Sequence, residues 1–132
     1  MNRTEEIELL EQLEQWNSKD EYSQCIQAIE AIPEQERGYL LTVKLSRAYS
    51  NLAVLGDHGV HGTDGEVDGD LIRHAIDLLE SVRTQGENDP YWNSRMGYSC
   101  LMAYRSAATA YEYAKCWLAL APDAPAAQKL VR

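Results

Sequence analysis

The chain has 132 residues, with 12 Lys and Arg against 21 Asp and Glu for a net charge of -9. That length suits one compact domain, and 45% hydrophobic with 25% charged residues excludes a disordered tail or a disulfide scaffold. The acidic balance argues against general nucleic-acid binding, which needs clustered Lys and Arg against phosphates.

Apolar residues recur at three- and four-residue spacing with no sustained alternation, so an all-α fold is expected. Leu9, Leu13 and Trp16 share one face of a first helix, with Asn2 or Thr4 as its candidate cap. Ser18 and Glu21 have capping-box spacing ahead of Tyr22, Cys25, Ile29 and Ile32, the stripe of a second helix that stops at Pro33. These two predict a hairpin over residues 3–33. Leu41, Leu45, Ala48, Tyr49 and Leu52 mark a third helix, and Ile72, Ala75, Ile76, Leu79 and Val82 a fourth, giving a second hairpin over 37–84. Between them, residues 54–70 hold five of the 8 Gly and five acids without a Lys or Arg, so a mobile insertion is expected. Asp89 followed by Pro90 is a helix start, and Trp92, Met96, Cys100 and Ala103 mark a fifth helix. Ala107, Ala110, Tyr111, Ala114, Trp117, Leu118 and Ala121 mark a sixth, which Pro122 breaks, so a third hairpin covers 90–122. Trp117 is expected to plug the space between the fifth and sixth helices, and residues 123–132 to form a short closing helix.

No apolar run approaches the roughly 18 residues of a membrane span, and no secretion signal is legible at the N-terminus, so a cytoplasmic, membrane-free protein is expected. Cys25, Cys100 and Cys116 each sit in an apolar helical pattern and read as reduced, buried thiols.

The even-numbered helices repeat one another at identical spacing: Tyr22, Cys25, Ile29, Ile32; then Ile72, Ala75, Leu79, Val82; then Ala107, Ala110, Ala114, Trp117. The odd-numbered set is looser, with Leu13 and Trp16, then Leu45, Ser46 and Tyr49, then Met96, Gly97 and Cys100. Trp16 to Tyr49 is 33 residues and Ala75 to Ala110 is 35, while Cys25 to Ala75 is one such repeat plus the insertion. This pattern resembles the tetratricopeptide repeat (TPR) family, small helical hairpins of about 34 residues. Its best local matches are Met96-Gly97, the Leu45 to Tyr49 segment, Ala75, Ala110 and Pro122; Leu13 stands where the family favours Gly, and Trp117 where a small residue is usual. The resemblance implies an α-α superhelix of three stacked TPR-like hairpins with a capping helix, all in one domain. It also implies a concave wall, built by the first helix of each hairpin, that binds a protein or peptide.

Charge is segregated along the chain. Residues 1–36 carry -8 and the insertion -5, whereas residues 37–53 carry Arg37, Lys44 and Arg47 with no acid, and residues 90–132 carry +3. If the repeats stack, Arg47 and Asn51 approach Arg95 and Tyr98, making one basic groove on an acidic protein. Guanidinium groups grip carboxylates in a fork, Asn51 can hold a peptide backbone, and Tyr91, Tyr98 and Met102 offer adaptable contact area. An acidic peptide fits such a groove. Lys44, Arg47 and Asn51 look like part of the set with which related repeat domains clamp a peptide's terminal carboxylate. The other reading is that Arg47 and Arg95 simply pair with Glu or Asp on neighbouring helices.

In the insertion, His58, His61, Asp57, Asp64, Glu66, Asp68 and Asp70 combine imidazole and carboxylate groups. A calcium loop from Asp64 fails because its twelfth place is Ala75 rather than Glu, so no metal is assigned. His74 lies beside the stripe of the fourth helix and reads as structural. No nucleophile motif, phosphate loop or zinc pattern occurs, so neither a cofactor nor an enzymatic activity is expected. Two further roles remain open: an immunity-type protein that caps one partner through its N-terminal acids and the insertion, and weak self-association through exposed end hairpins.

Overall fold

The computed structural model describes residues 1–59, 67–104 and 107–123, all helix, turn or loop with no strand among them. The middle of the insertion and all but the start of the expected closing helix lie outside those residues. No helix of the described chain is long and apolar enough to cross a membrane.

Helix α1 (Arg3–Ser18) begins at Asn2, whose side chain accepts the Glu5 N–H at 2.8 Å while Glu5 reaches back to the Asn2 N–H. The turn into α2 (Tyr22–Glu30) passes through Asp20 at φ 58, a left-handed conformation that Asp tolerates. The capping box expected at Ser18 and Glu21 does not form. Ser18 is still inside α1 and its hydroxyl donates to the Gln15 carbonyl at 2.8 Å, while Glu21 makes no side-chain cap bond. The first turn of α2 is capped from elsewhere in the chain: Asp57 accepts the Ser23 N–H at 2.9 Å and the Ser23 hydroxyl as well.

Helix α3 (Gly38–Leu55) is apolar on two sides and is therefore the centre of the fold. Leu41, Leu45 and Ala48 pack with Leu13, Cys25, Ile26 and Ile29 in one core. Val43, from another face of α3, packs with Ile76, Leu79, Trp92, Met96 and Cys100 in a second. The helix runs into the first two residues of the predicted insertion and stops at Gly56, whose φ of 72 closes the end with an N–H bond to Leu52. At the insertion's other end, Asp68 caps α4 (Gly69–Ser81) through the N–H groups of Asp70 and Leu71. The insertion is thus shorter than its composition suggested, and its first residues are fastened to α2.

Ala75 is fully buried on α4, and its small side chain lets α3 approach closely enough for the Ser46 hydroxyl to reach the Ala75 carbonyl at 2.7 Å. A short helix, α5 (Arg83–Gly86), follows where the sequence predicted only the end of a hairpin. Its last residue must be Gly: a Cβ at Gly86 would lie 2.3 Å from the ring of Trp92. That ring is held by an Nε1 hydrogen bond to the Leu79 carbonyl at 2.9 Å.

Helix α6 (Pro90–Tyr104) starts as predicted, with Asp89 accepting the Tyr91 N–H at 2.9 Å. It packs against α4 and against α7 (Ala107–Leu120), where Ala110 and Ala114 are buried. Trp117 does not plug a core. It is only half-buried and meets the edge of Tyr98 with ring centroids 6.3 Å apart. Tyr111, assigned to the same apolar stripe, is exposed, as is Cys116, so only two of the three thiols are buried. Consecutive helices pack on one another along the chain, and α3 also touches α6 directly.

Candidate functional site

Residues of α1, α3 and α6 meet along one side of the molecule. Glu14 of α1 accepts from Lys44 at 3.0 Å and from Arg47 at 2.9 Å, both on α3. Lys44 also lies over the ring of Tyr91 on α6, with Nζ 5.0 Å from its centroid. One turn further along, the Asn51 side-chain amide donates to Asn17 of α1 at 3.1 Å. Arg95 of α6 points toward α3, where its Nη2 donates to the Ser50 hydroxyl at 2.5 Å and lies 3.5 Å from the Asn51 side-chain Oδ1. Five of the seven residues assigned to the groove from sequence, Lys44, Arg47, Asn51, Tyr91 and Arg95, therefore form one connected patch. Tyr98 and Met102 continue it along α6.

The two arginines differ in their partners. Arg47 pairs with an acid from the neighbouring helix. Burial works against ionised Glu14, yet the Lys44 hydrogen bond and the charges of Arg47 and Lys44 outweigh it and hold that carboxyl below its usual range. Arg95 has no carboxylate within salt-bridge distance among the described residues, and its enclosed Nε has no hydrogen-bond partner. Burial, assisted by the like charge of Arg47, disfavours its ionised form, while Tyr91 and Tyr98 favour it. The imbalance is written into the elements: neither α3 nor α6 contains an Asp or Glu.

Beside Arg95, α3 and α6 leave a pocket of about 170 Å³. Its lining is polar at Arg95, Ser50, Asn51 and Ser99 and apolar at Val54, Leu55, Ile72, Tyr98 and Met102. Ser99 is only 1% exposed, and its hydroxyl has no partner among the described residues. Glu14, Ser50, Ser99, Val54, Leu55 and Ile72 were not assigned to the groove from sequence. Ser99 had a usable signal, standing four residues after Arg95 and so on the same helical face. Ile72 had none, because only the packing of α4 behind α3 brings it to the pocket.

The described start of the insertion is held in place. Asp57 is committed to the start of α2, and the His58 N–H donates to the Asp20 carbonyl at 2.7 Å. His61, Asp64 and Glu66 lie outside the described residues. His74 sits edge-on to Tyr49 with ring centroids 4.5 Å apart, an aromatic contact on the surface of α4.

Comparison with protein-family models, with curated proteins and with solved structures finds no match to this chain.

Proposed function

We propose that this chain is a protein-interaction module of TPR type, whose α1, α3 and α6 form the wall that receives an acidic peptide or protein segment. The carrying observation is Arg95, a half-buried arginine between α3 and α6 whose Nε is enclosed and which has no acidic partner among the described residues. Taking a cation out of water without a counter-charge costs stability, so a carboxylate supplied by a partner recovers what folding leaves uncompensated. The repeated Tyr22, Ile72 and Ala107 stripes and the meeting of first helices along one side support the repeat reading. Lys44 and Arg47, which share the single carboxylate of Glu14, set the rim of the wall rather than its anchor.

A random peptide library displayed on phage tests this. Selection on the wild-type protein is expected to enrich acidic segments, and Arg95→Glu to abolish the enrichment with helicity intact. No enrichment, or enrichment indifferent to Arg95→Glu, refutes the wall as the binding surface. A second reading, a protein that caps one specific partner, is supported by Glu5, Glu6, Glu8 and Glu11 along α1, of which all but the half-buried Glu6 are exposed. Reversing those four charges would then remove binding that Arg95→Glu leaves untouched.

A further inference from the structure

We propose that the pocket between α3 and α6 is a binding site for a small organic monocarboxylate with a short apolar tail. This goes beyond the peptide reading: it shares Arg95 with that reading but needs no peptide partner. Three observations on the pocket converge on this chemistry.

The first is unspent hydrogen-bonding capacity at one end. A guanidinium carries five N–H donors, and the described partners of Arg95, Ser50 and Asn51, both engage Nη2. The enclosed Nε–H and the buried Ser99 hydroxyl are left without partners among the described residues. Buried donors in native structures are normally satisfied, and a guanidinium that lines a pocket without a carboxylate partner among the described residues describes a place for an anion. Glu14 is engaged by Lys44 and Arg47, and α3 and α6 supply no acid of their own.

The second is the change of polarity along the pocket. On α3, Ser50 and Asn51 give way one turn later to Val54 and Leu55. On α6, Arg95 gives way to Met102 two turns later. A helical turn rises about 5.4 Å, so head and tail sites stand roughly 5 to 10 Å apart, the span of a chain of a few carbons. A bare inorganic anion would leave the apolar end unused, and a neutral hydrocarbon would leave Arg95 unpaired.

The third is size. At about 170 Å³ the pocket falls short of the roughly 300–1,000 Å³ typical of clefts for larger ligands. One short-chain acid fits that scale. While bound it would occupy the Arg95 donors, so it would compete with an acidic segment lying on the wall above.

NMR of the full-length, isotope-labelled protein tests the proposal with hexanoate, hexan-1-ol and acetate as probes. Hexanoate is expected to shift the Ile72 and Met102 methyl signals and the Arg95 Nε–H signal together and saturably. Hexan-1-ol, which lacks the charge, and acetate, which lacks the tail, are each expected to bind roughly tenfold more weakly or worse. Arg95→Met is expected to erase the preference for hexanoate over the alcohol. Equal binding of the alcohol, shifts that do not gather at the pocket, or a preference that survives Arg95→Met each overturn the site. The comparison of hexanoate with hexan-1-ol uses the unaltered protein, so a variant that fails to fold does not remove the test. Absence of hexanoate binding beside Arg95-dependent peptide binding sinks this inference alone. Hexanoate binding without any selected peptide sinks the peptide reading and upholds the pocket.

Discussion

Replacing Arg95 by Met should make the protein more stable. The wild-type guanidinium is partly shielded from water, with its Nε enclosed, Nη2 on Ser50 at 2.5 Å, a longer approach to Asn51 at 3.5 Å, and no ion pair among the described residues. The substitution removes the partly desolvated charge while keeping an unbranched stem that can lie along the same apolar wall of Tyr98 and Met102. Ser50 retains its bond to the Arg47 carbonyl at 3.0 Å, so the loss is one charge-assisted hydrogen bond. Replacing buried ionic groups by apolar ones of similar volume is commonly neutral or stabilising by about 1 to 4 kcal/mol. Offsetting the lost bond, about 1.5 kcal/mol or more, leaves a net gain on the order of 1 kcal/mol. For a chain of this length that raises Tm by roughly 3 to 5 °C. Urea unfolding followed by circular dichroism reads the effect as a higher midpoint at unchanged slope. A fall in stability of about 1 kcal/mol or more would show that Arg95 is a structural group whose donors are already satisfied, and the binding role assigned to it would go with that result.

Gly86→Ala is expected to destabilise by about 3 kcal/mol, because its Cβ would stand 2.3 Å from a Trp92 ring that the Leu79 carbonyl holds in place; the same urea assay checks it. Asp57→Ala removes the acceptor at the first turn of α2 and should cost about 1 kcal/mol, with faster hydrogen exchange confined to that turn and the Asp57–Gly59 segment. The Tyr22 phenol is pushed up to about 12, first by burial and then by its hydrogen bond to Asp20. A pKa raised in the folded state contributes stability that is present below the unfolded value of 10.0 and is lost as pH climbs toward 12. Tyr22→Phe should therefore flatten the decline of stability over that alkaline window, and an unchanged slope would contradict the assignment.

Helix positions were legible because the interior selects apolar residues at helical spacing, and this chain keeps that spacing almost everywhere. Asn2 and Asp89 were readable as caps for the same local reason, since each acts on N–H groups two or three residues away. Asp57 was not. It caps a helix 34 residues earlier, and no local pattern separates that use from an acid in a solvated loop. Ser18 and Glu21 show the converse error, a correct local spacing overruled because α1 continues through Ser18. Trp117 and Tyr111 failed because an apolar stripe marks a helix but does not say how much of it a neighbour covers.

The groove divides along the same line. Segregation of Lys44 and Arg47 into a segment without acids, and of Arg95 into one of net positive charge, is a property of the sequence, and it raised the expectation of a basic groove. Which arginine stays free depended on Glu14 of α1 reaching Lys44 and Arg47 but not Arg95, a matter of how three helices separated in sequence lie together. Periodicity and charge order act through short-range sterics and hydration, so the residue string alone specified helices, their starts and their ionic character. Pairing, enclosure and the hollow beside Arg95 arise only when distant surfaces exclude water from one another, and for those the three-dimensional packing was decisive.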